Sequence, residues 1–340
     1  MERHEFINVQ KKIIPEIIDL MELRYNVLLF IKANQPIGRR NLAQELSVSE
    51  RQIRNEIDFL LMQSFVEVER QGIHLTKTGE EILIQLKGVI YSYKNLEDLV
   101  VKVKEKLKIK KVYIISGDCQ KNKLILEFMG KKVGEYILSI VKGNSVIGLT
   151  GGSSVASVAK NISEISYPKV TVIPARGGIG KRHSTQANSI VSTLADKLNA
   201  KKEMLHIPDY VDKEILDALK SYPDIREVFD KYELIDIMIF GIGKADVMAK
   251  RRNLPEYKIK ELISKNAIGE AFGYYFDANG NVVEPSSSVG ISLEDYKRIP
   301  NIIAIAGGKD KANAIIATCK INKDLVLVTD ESAALEILKT

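Results

Sequence analysis

The spacing of apolar residues in the first part of the chain predicts several helices followed by a hairpin. Apolar positions at helical spacing predict helices over about 6–22 and 23–34, a short helix after Gly38, and a longer helix over about 49–62. The segment F-V-E-V-E-R-Q-G-I-H-L-T then alternates apolar and polar residues around Gln71-Gly72, as a small hairpin does. This order predicts a winged helix-turn-helix over residues 1–78, with an extra N-terminal helix.

The helix over 49–62 would be the recognition helix of such a domain. Ser49 and Gln52 give the S-x-x-Q pattern of a capping box at its start. Arginine and asparagine near the start of a helix can reach base edges and phosphates in the major groove of DNA. We expect the DNA contacts to come from Arg39, Arg40, Arg51, Arg54 and Asn55. The alternatives are a solvated helix face with routine charges and a module that binds another protein.

Residues 79–109 carry apolar side chains at alternating spacings of four and three, which is the pattern of a heptad seam. The seam consists of Ile82, Leu86, Val89, Tyr93, Leu96, Val100, Val103 and Leu107. It fits a coiled coil between two subunits, and it fits equally a single amphipathic helix packed on the following domain. Gly88 and Asn95 weaken a continuous coil. In both cases the segment connects the N-terminal domain to the rest of the chain.

From about residue 110 to 340, short apolar runs alternate with stretches of helical periodicity. The runs predict strands over 111–116, 146–149, 170–174, 235–240, 302–306 and 325–328, and a hairpin interrupts them near 272–283. Strands that alternate with helices predict the α/β class, with a doubly wound and mostly parallel sheet. In such sheets ligands bind beyond the carboxyl ends of the strands.

Glycine-rich segments follow four of these predicted strands. T-G-G-S-S at 150–154 opens a helix, where glycines allow close approach and the helix start supplies N–H groups to an oxyanion. P-A-R-G-G-I-G-K-R-H-S-T-Q at 174–186 places Arg176 nearest its strand end, in position for a bidentate phosphate contact. G-I-G-K at 241–244 and A-G-G-K at 306–309 follow two further strands, and Lys309 would supply a point charge. The four segments together predict a site for a doubly anionic small molecule.

Charge and composition change this picture only in part. The net charge of +6 comes from 50 basic and 44 acidic residues, but residues 1–90 hold 12 basic and 13 acidic ones, so any DNA contact depends on local placement. No apolar run reaches the roughly 18–20 residues of a membrane helix, and M-E-R-H-E-F-I-N has no apolar signal core. Cys119 and Cys319 fit no metal or redox spacing, so we expect buried thiols in a reducing cytoplasm, no metal and no cofactor. His183 has neither a carboxylate nor a second histidine at ligand spacing.

Six segments in order along the chain resemble the SorC family of sugar-responsive bacterial transcription regulators. They are G-L-T-G-G-S-S, P-A-R-G-G, G-I-G-K-A-D, F-D-A-N-G, A-G-G-K-D-K-A-N-A-I and L-V-T-D-E-S-A-A. The resemblance covers nearly the whole chain and implies a winged helix followed by an effector domain similar to sugar-phosphate isomerases. The length, the extra N-terminal helix and P-A-R-G-G-I-G look most like a member that represses glycolytic genes and responds to fructose-1,6-bisphosphate.

The resemblance also implies the residues of the effector site. They would be Thr150, Gly151, Gly152, Ser153, Ser154, Arg176, Thr185, Gln186, Arg251, Glu270 and Lys309. The choice between Arg251 and Arg252 stays open, because this sequence has both. A triose phosphate and a hexose monophosphate also stay open as effectors. The partners implied are double-stranded operator DNA and further copies of the chain, in a dimer or a tetramer.

A sugar-phosphate isomerase or deaminase is the competing interpretation. That chemistry needs a base beside a carbonyl and an acid or histidine that opens the sugar ring. The deaminases that resemble this fold carry a histidine shortly after the segment corresponding to G-I-G-K-A-D, whereas here the chain continues V-M-A-K-R-R. Asp246 and Glu270 are candidate bases, but no complete acid/base pair is visible. We therefore expect a regulator that reads the phosphate as a signal.

Overall fold

The computed structural model describes most of the chain, in two compact units. The described residues are 7, 9–10, 12–14, 16–177, 183–207, 213–219, 221–284 and 289–340. The first unit comprises Met1–Leu99 with Asn122–Leu124, and the second comprises Val100–Lys121 with Ile125–Thr340. In these described stretches no helix combines the length and the apolar character that crossing a membrane requires.

The first unit is built from helices and one small antiparallel sheet. Its elements are α1 (Ile17–Asn34), α2 (Arg39–Leu46), α3 (Glu50–Met62), β1 (Val66–Glu69), β2 (Gly72–Leu75) and α4 (Lys77–Tyr93). The break predicted between 22 and 23 is wrong, since α1 runs through it without a glycine or proline to interrupt the helix. Ile37 forms a bridge with Ile73 and adds a third short stretch beside the β1–β2 hairpin.

The turn between α2 and α3 explains why these two helices form a helix-turn-helix. Ser47 ends α2 in the left-handed conformation, with φ 54° and ψ 39°, and turns the chain away from the helix axis. Ser49 then caps α3, because its Oγ accepts a hydrogen bond from the Gln52 N–H at 3.2 Å. Ile53 and Ile57 of α3 are buried, as the helical spacing of its apolar residues predicts. The predicted winged helix-turn-helix is confirmed.

The structure divides the predicted seam between two helices. The chain breaks at Asn95, whose φ of 53° lies in the left-handed region, and α5 (Leu96–Leu107) follows. Tyr93, Leu96, Val103 and Leu107 are buried within the chain, whereas Ile82 and Leu86 are half-buried and Val89 is exposed. A continuous coil over the whole seam is therefore wrong. Apart from Val100, which is half-buried, the second half of the seam is buried within the chain itself. The row of Ile82, Leu86 and Val89 on α4 stays a candidate for contact with another copy.

The second unit is centred on a mostly parallel sheet, as predicted. Its strands are β3 (Lys111–Ile115), β4 (Val146–Leu149), β5 (Thr171–Pro174), β6 (Lys201–Lys202), β7 (Ile235–Lys244), β8 (Gly269–Ala271), β9 (Tyr274–Phe276), β10 (Val282–Glu284), β11 (Asn301–Ile305) and β12 (Leu325–Asp330). The parallel part of the sheet has the order β6-β5-β4-β7-β11-β12-β3, and β8, β9 and β10 extend the outer half of β7 by antiparallel pairing. The α/β class is confirmed.

Helices connect these strands and bury the core. They are α6 (Lys123–Ile140), α7 (Ser153–Asn161), α8 (Ala187–Leu198), α9 (Lys213–Leu219), α10 (Pro223–Asp230), α11 (Ala245–Arg251), α12 (Glu256–Ser264), α13 (Leu293–Arg298), α14 (Ala312–Cys319) and α15 (Glu331–Lys339). Ile147, Ile237 and Ile303 lie on neighbouring strands and are fully buried. Cys319 is buried and Cys119 is half-buried, and both are free thiols.

One predicted loop is a strand. The segment G-I-G-K at 241–244 continues β7 and pairs with β8 instead of turning after Phe240. Position 243 favours glycine, because a Cβ there would overlap the Met248 side chain of α11. The glycine therefore allows close packing, and the chain leaves the strand four residues later than the sequence predicts.

The strand order fixes where a ligand can enter. After β4 the chain proceeds outward through β5 and β6, and it then returns to β7 and proceeds to the other side through β11 and β12. The strand order therefore reverses between β4 and β7. Connections on opposite faces leave a crevice beyond the carboxyl ends of the strands at such a point.

Candidate effector site and DNA-binding surface

A cavity of about 190 Å³ lies at this crevice. The structure brings ten of the eleven predicted site residues into its wall, and they are Thr150, Gly151, Gly152, Ser153, Ser154, Arg176, Thr185, Gln186, Arg251 and Glu270. Lys309 is exposed and is not among the described lining residues, whereas Asp310 and Lys311 are. Lys181 and Arg182, the further basic residues of the glycine-rich segment at 174–186, lie outside the described residues. A role in binding stays a prediction for each of these side chains.

Two helices begin at the same wall of the cavity. The Gly152 N–H donates a hydrogen bond to the Thr185 carbonyl at 2.9 Å, which joins the start of α7 to the turn before α8. A Cβ at Gly151 would lie 2.9 Å from that carbonyl, and Gly152 has a φ of 126°, so both positions favour glycine. The first N–H groups of a helix have no partner within the helix. This wall is therefore suited to an anion without carrying a formal charge.

Another part of the cavity wall carries charged side chains, because a buried carboxylate there is paired with two arginines. Glu270 and Arg176 are each 3% exposed, and Arg176 Nη1 lies 3.1 Å from Glu270 Oε1. Arg252 Nη2 pairs with the same oxygen, and the Gly273 N–H donates to it at 2.9 Å. These groups come from the end of β5, the end of α11 and the β8–β9 turn, so Glu270 connects three segments of the cavity wall.

The ionisation of Glu270 follows from these contacts. Burial raises the pKa of its carboxyl, but the charges of Arg252 and Arg176 outweigh burial, and the net pKa lies below its usual value of 4.5. Glu270 is therefore ionised near neutral pH and neutralises one of its two arginines.

The wall is positively charged as a whole. Among the described lining residues, five basic side chains face two carboxylates, Glu270 and Asp310. The basic ones are Arg176, Lys244, Arg251, Arg252 and Lys311. A partly enclosed site with this excess concentrates anions, because the low dielectric of its walls strengthens each charge.

The structure places Arg251 and Arg252 differently, although both line the cavity. Arg252 is largely buried, and its Nη1 lies 3.5 Å from the Tyr275 hydroxyl in addition to its pair with Glu270. Arg251 is exposed at the rim. The sequence leaves the choice between Arg251 and Arg252 open, and the structure places both in the cavity wall, Arg252 inside and Arg251 at the rim. Lys244 and Lys311 also line the cavity and were not among the residues that the sequence predicts. The double arginine was the only sequence signal for Arg252.

The predicted DNA-contacting residues lie on α2 and α3 of the first unit, where Arg39 is half-buried and the other four are exposed. Arg51, Arg54 and Asn55 are exposed on α3, and within the described residues Arg51 and Arg54 form no ion pair. Arg39 Nη2 lies 3.4 Å from Asp58 Oδ1, and Arg40 Nε lies 3.7 Å from Glu50 Oε1. Exposed pairs at such distances are weak, so phosphates can compete for both arginines.

The inner side of α3 is fixed by Arg24 of α1. Arg24 Nε lies 2.8 Å from Glu56 Oε2, and its guanidinium lies 3.6 Å from the centre of the Phe59 ring. These two contacts fix the side of α3 that faces α1, and Arg51, Arg54 and Asn55 lie at exposed positions of the helix.

Comparisons with known proteins cover both units. Residues 91–339 match the family described as "Putative sugar-binding domain", and residues 20–90 match the CggR N-terminal DNA binding domain. The chain is 35% identical over 337 residues to the central glycolytic genes regulator of Bacillus subtilis, covering 99% of each chain. It is 36% identical over 335 residues to the protein of the same name in Priestia megaterium, covering 98% of each.

Solved structures of transcription regulators are similar to this chain as well. The protein described as "putative SorC family transcriptional regulator" from Enterococcus faecalis is 34% identical with a TM-score of 0.66, and the match covers 71% of this chain and 99% of that one. The full-length sorbitol operon regulator SorC from Klebsiella pneumoniae is 19% identical and shares the fold with a TM-score of 0.69, over 89% and 94% of the two chains.

Proposed function

This chain belongs to the SorC family of transcription regulators, and on that premise we propose that it represses glycolytic genes by binding operator DNA under the control of a phosphorylated sugar. The effector we propose is fructose-1,6-bisphosphate. The family relationship supports the pairing of a DNA-binding domain with a sugar-binding domain. The glycolytic target is taken from the names of the relatives in Bacillus subtilis and Priestia megaterium.

The observation that carries the proposal is the composition of the cavity. Two helix starts form one part of its wall, and the Arg176–Glu270–Arg252 cluster forms another. A ligand with one phosphate at each part would use hydrogen bonds from backbone N–H groups at one end and guanidinium charge at the other. A sugar bisphosphate has this distribution of charge, and a monophosphate would use only one part.

The phosphate is read as a signal in this proposal. A general base must hold a pKa near the working pH and reach the proton that it removes. Glu270 is paired with two arginines and has a lowered pKa, which makes it a poor proton acceptor at neutral pH. Asp246, the other candidate base, is not among the described residues of the cavity wall. Both observations favour a regulator over an isomerase.

Control of DNA binding requires two states of the protein. We propose that the chain acts as a homo-oligomer, in which several winged helices bind a repeated operator and the effector favours a second arrangement of subunits. The effector can change operator affinity only by its own difference in affinity for the two states, typically about 1–3 kcal/mol. The row of Ile82, Leu86 and Val89 on α4 is the candidate contact between copies.

A direct test combines a thermal-shift panel with operator binding. Fructose-1,6-bisphosphate should raise the melting temperature more than fructose-6-phosphate, a triose phosphate or inorganic phosphate at equal concentration, because ligand binding stabilises the folded state. The same ligand should change the affinity for operator DNA in a gel shift at fixed salt. Equal melting shifts for the bisphosphate and inorganic phosphate would contradict the choice of effector, and an unchanged gel shift would contradict its regulatory role.

A further inference from the structure

The segment L-V-T-D-E-S-A-A contains a buried carboxylate outside the cavity wall. Asp330 ends β12, is 0% exposed, and caps α15 by accepting hydrogen bonds from the Ala333 N–H at 2.9 Å and the Ser332 hydroxyl at 3.2 Å. These two bonds are those of an ordinary helix cap. They account for only part of what this carboxylate contacts.

Asp330 also accepts hydrogen bonds from two other loops. The Cys119 N–H, in the loop after β3, lies 2.8 Å from Oδ2. The Gly308 N–H, in the loop after β11, lies 3.0 Å from each oxygen. A helix cap has no need of these bonds. They join the ends of three neighbouring strands at one buried carboxyl group, where the donors satisfy a polar group that would otherwise be costly to bury.

The loop after β11 is held on its other side as well. Gly308 has a φ of 95°, which favours glycine, and the space beside it is filled by the Gln120 side chain. Gln120 Nε2 donates a hydrogen bond to Asp310 Oδ1 at 2.9 Å. Two side chains therefore hold the loop of residues 307–311, Asp330 from within and Gln120 from the surface.

This loop supplies two residues of the cavity wall. Asp310 and Lys311 line the cavity directly after the segment that Asp330 holds. We propose that Asp330 is a positioning residue for the effector, because it fixes the Gly307–Lys311 loop in the conformation that presents Lys311 to a bound phosphate. The inference rests on the proposed sugar-phosphate function and assigns to the L-V-T-D-E-S-A-A segment a role that helix capping does not cover.

Asp330→Asn tests the proposal with little change in volume. An asparagine that keeps its oxygen toward Ala333 turns an NH2 group toward the Cys119 N–H, where donor meets donor, and leaves the Gly308 N–H with one of its two acceptors. The affinity for fructose-1,6-bisphosphate, measured by calorimetry on the full-length chain at a temperature where both proteins are folded, should fall about tenfold. Ser332→Ala removes a bond to the same carboxylate but leaves both loops attached, so it should bind the bisphosphate like the wild type.

A double-mutant cycle with Lys311→Gln separates positioning from general loss of stability. If Asp330 acts on the ligand through Lys311, the loss caused by Asp330→Asn should largely disappear in the Lys311→Gln background. Independent losses that add in the double variant would overturn the proposal. If Asp330→Asn does not fold, Gly308→Ala disturbs the same loop through its backbone conformation and should show the same dependence on Lys311.

Amide hydrogen exchange of the ligand-free protein tests the inference apart from the proposed function. Asp330→Asn should speed exchange at Gly308 and its neighbours, while Ser332→Ala should not. Unchanged exchange in the 307–311 loop overturns the inference whatever the ligand proves to be. If the loop loosens and the wild type binds no bisphosphate, the proposed effector fails and the positioning of this loop by Asp330 stands.

Discussion

Glu270 shows how one side chain can determine the chemistry of a whole cavity. Its carboxylate is the shared partner of Arg176 and Arg252, so removing it leaves two buried guanidiniums next to each other. Glu270→Gln should lower the free energy of unfolding by about 3–5 kcal/mol, the range for breaking a buried ion pair from one side. Urea unfolding at pH 7 measures this. Glu164→Gln, which breaks an exposed pair with Lys197, is the control and should have little effect.

The same variant has a defined dependence on pH. Because the native pKa of Glu270 is lowered, its contribution to stability is complete above its usual value of 4.5 and is lost as pH falls through the lower native value. The difference between wild type and Glu270→Gln should thus be constant from pH 8 to about 5 and should shrink below 4.5. A difference that grows on acidification would show that the carboxyl is not held ionised by its arginines.

Arg176 belongs to the same scale, and its effect should depend on the ligand. Arg176→Ala should weaken fructose-1,6-bisphosphate binding by about ten- to a hundredfold, because a charged contact to phosphate is lost. Operator binding should be kept. Titration with a monophosphate as well as the bisphosphate is the measurement, and Arg251→Ala at the exposed rim is the control with a smaller expected loss. Equal losses for both ligands would contradict two separate anion sites.

At the scale of elements, α3 carries proposed DNA contacts at its exposed positions, and Arg24 of α1 fixes its inner side. Arg54→Gln should weaken operator binding at fixed salt, and if Arg54 binds a phosphate, the salt dependence should fall by about one unit of slope. Gel shifts at three salt concentrations measure both effects, and calorimetry should show unchanged sugar-phosphate binding. Arg226→Gln, an exposed arginine of the second unit, is the control. Operator affinity equal to that of the wild type would refute α3 as the recognition helix.

The interrupted seam changes where self-association should be tested. Lysine at Leu96 would unfold the chain because that side chain is fully buried. On α4, by contrast, Leu86 is half-buried and Val89 is exposed. Replacing Leu86 and Val89 with lysine should lower the mass in sedimentation. Val101→Lys, on an exposed position of α5, is the control. An unchanged mass with a lowered melting temperature would assign the row on α4 to the chain's own packing.

Elements were predictable from the sequence where local pattern decides them. The apolar run at 146–149 matches β4 residue for residue, because a strand buried on both faces reads as a continuous apolar segment that a Thr-Gly-Gly turn ends. Glycine usually marks a turn, so the sequence of G-I-G-K predicts a loop, whereas its pairing with β8 and the packing of Met248 against Gly243 depend on contacts that no local pattern reveals. The pairing of Arg176 with Glu270 joins residues 94 positions apart, so no local pattern could reveal it.

At the scale of the whole molecule, the proposed function requires binding of the effector and of the operator to be linked in both directions. If fructose-1,6-bisphosphate changes the affinity for operator DNA by some factor, the operator must change the affinity for the bisphosphate by the same factor. Calorimetric titration of the bisphosphate into free and operator-bound protein measures one side, and gel shifts measure the other. Two unequal factors would show that a further species, such as another oligomer, takes part.

The reversal of strand order between β4 and β7 has a consequence for how such regulators diversify. The crevice is made by the path of the backbone, while the side chains that meet a ligand come from the segments beyond the strands. A duplicated gene could therefore acquire a response to a different metabolite through a few substitutions in these segments, with the buried strands unchanged. Natural variation among descendants of one ancestor should accumulate at the strand ends, and the sheet beneath them should diverge more slowly.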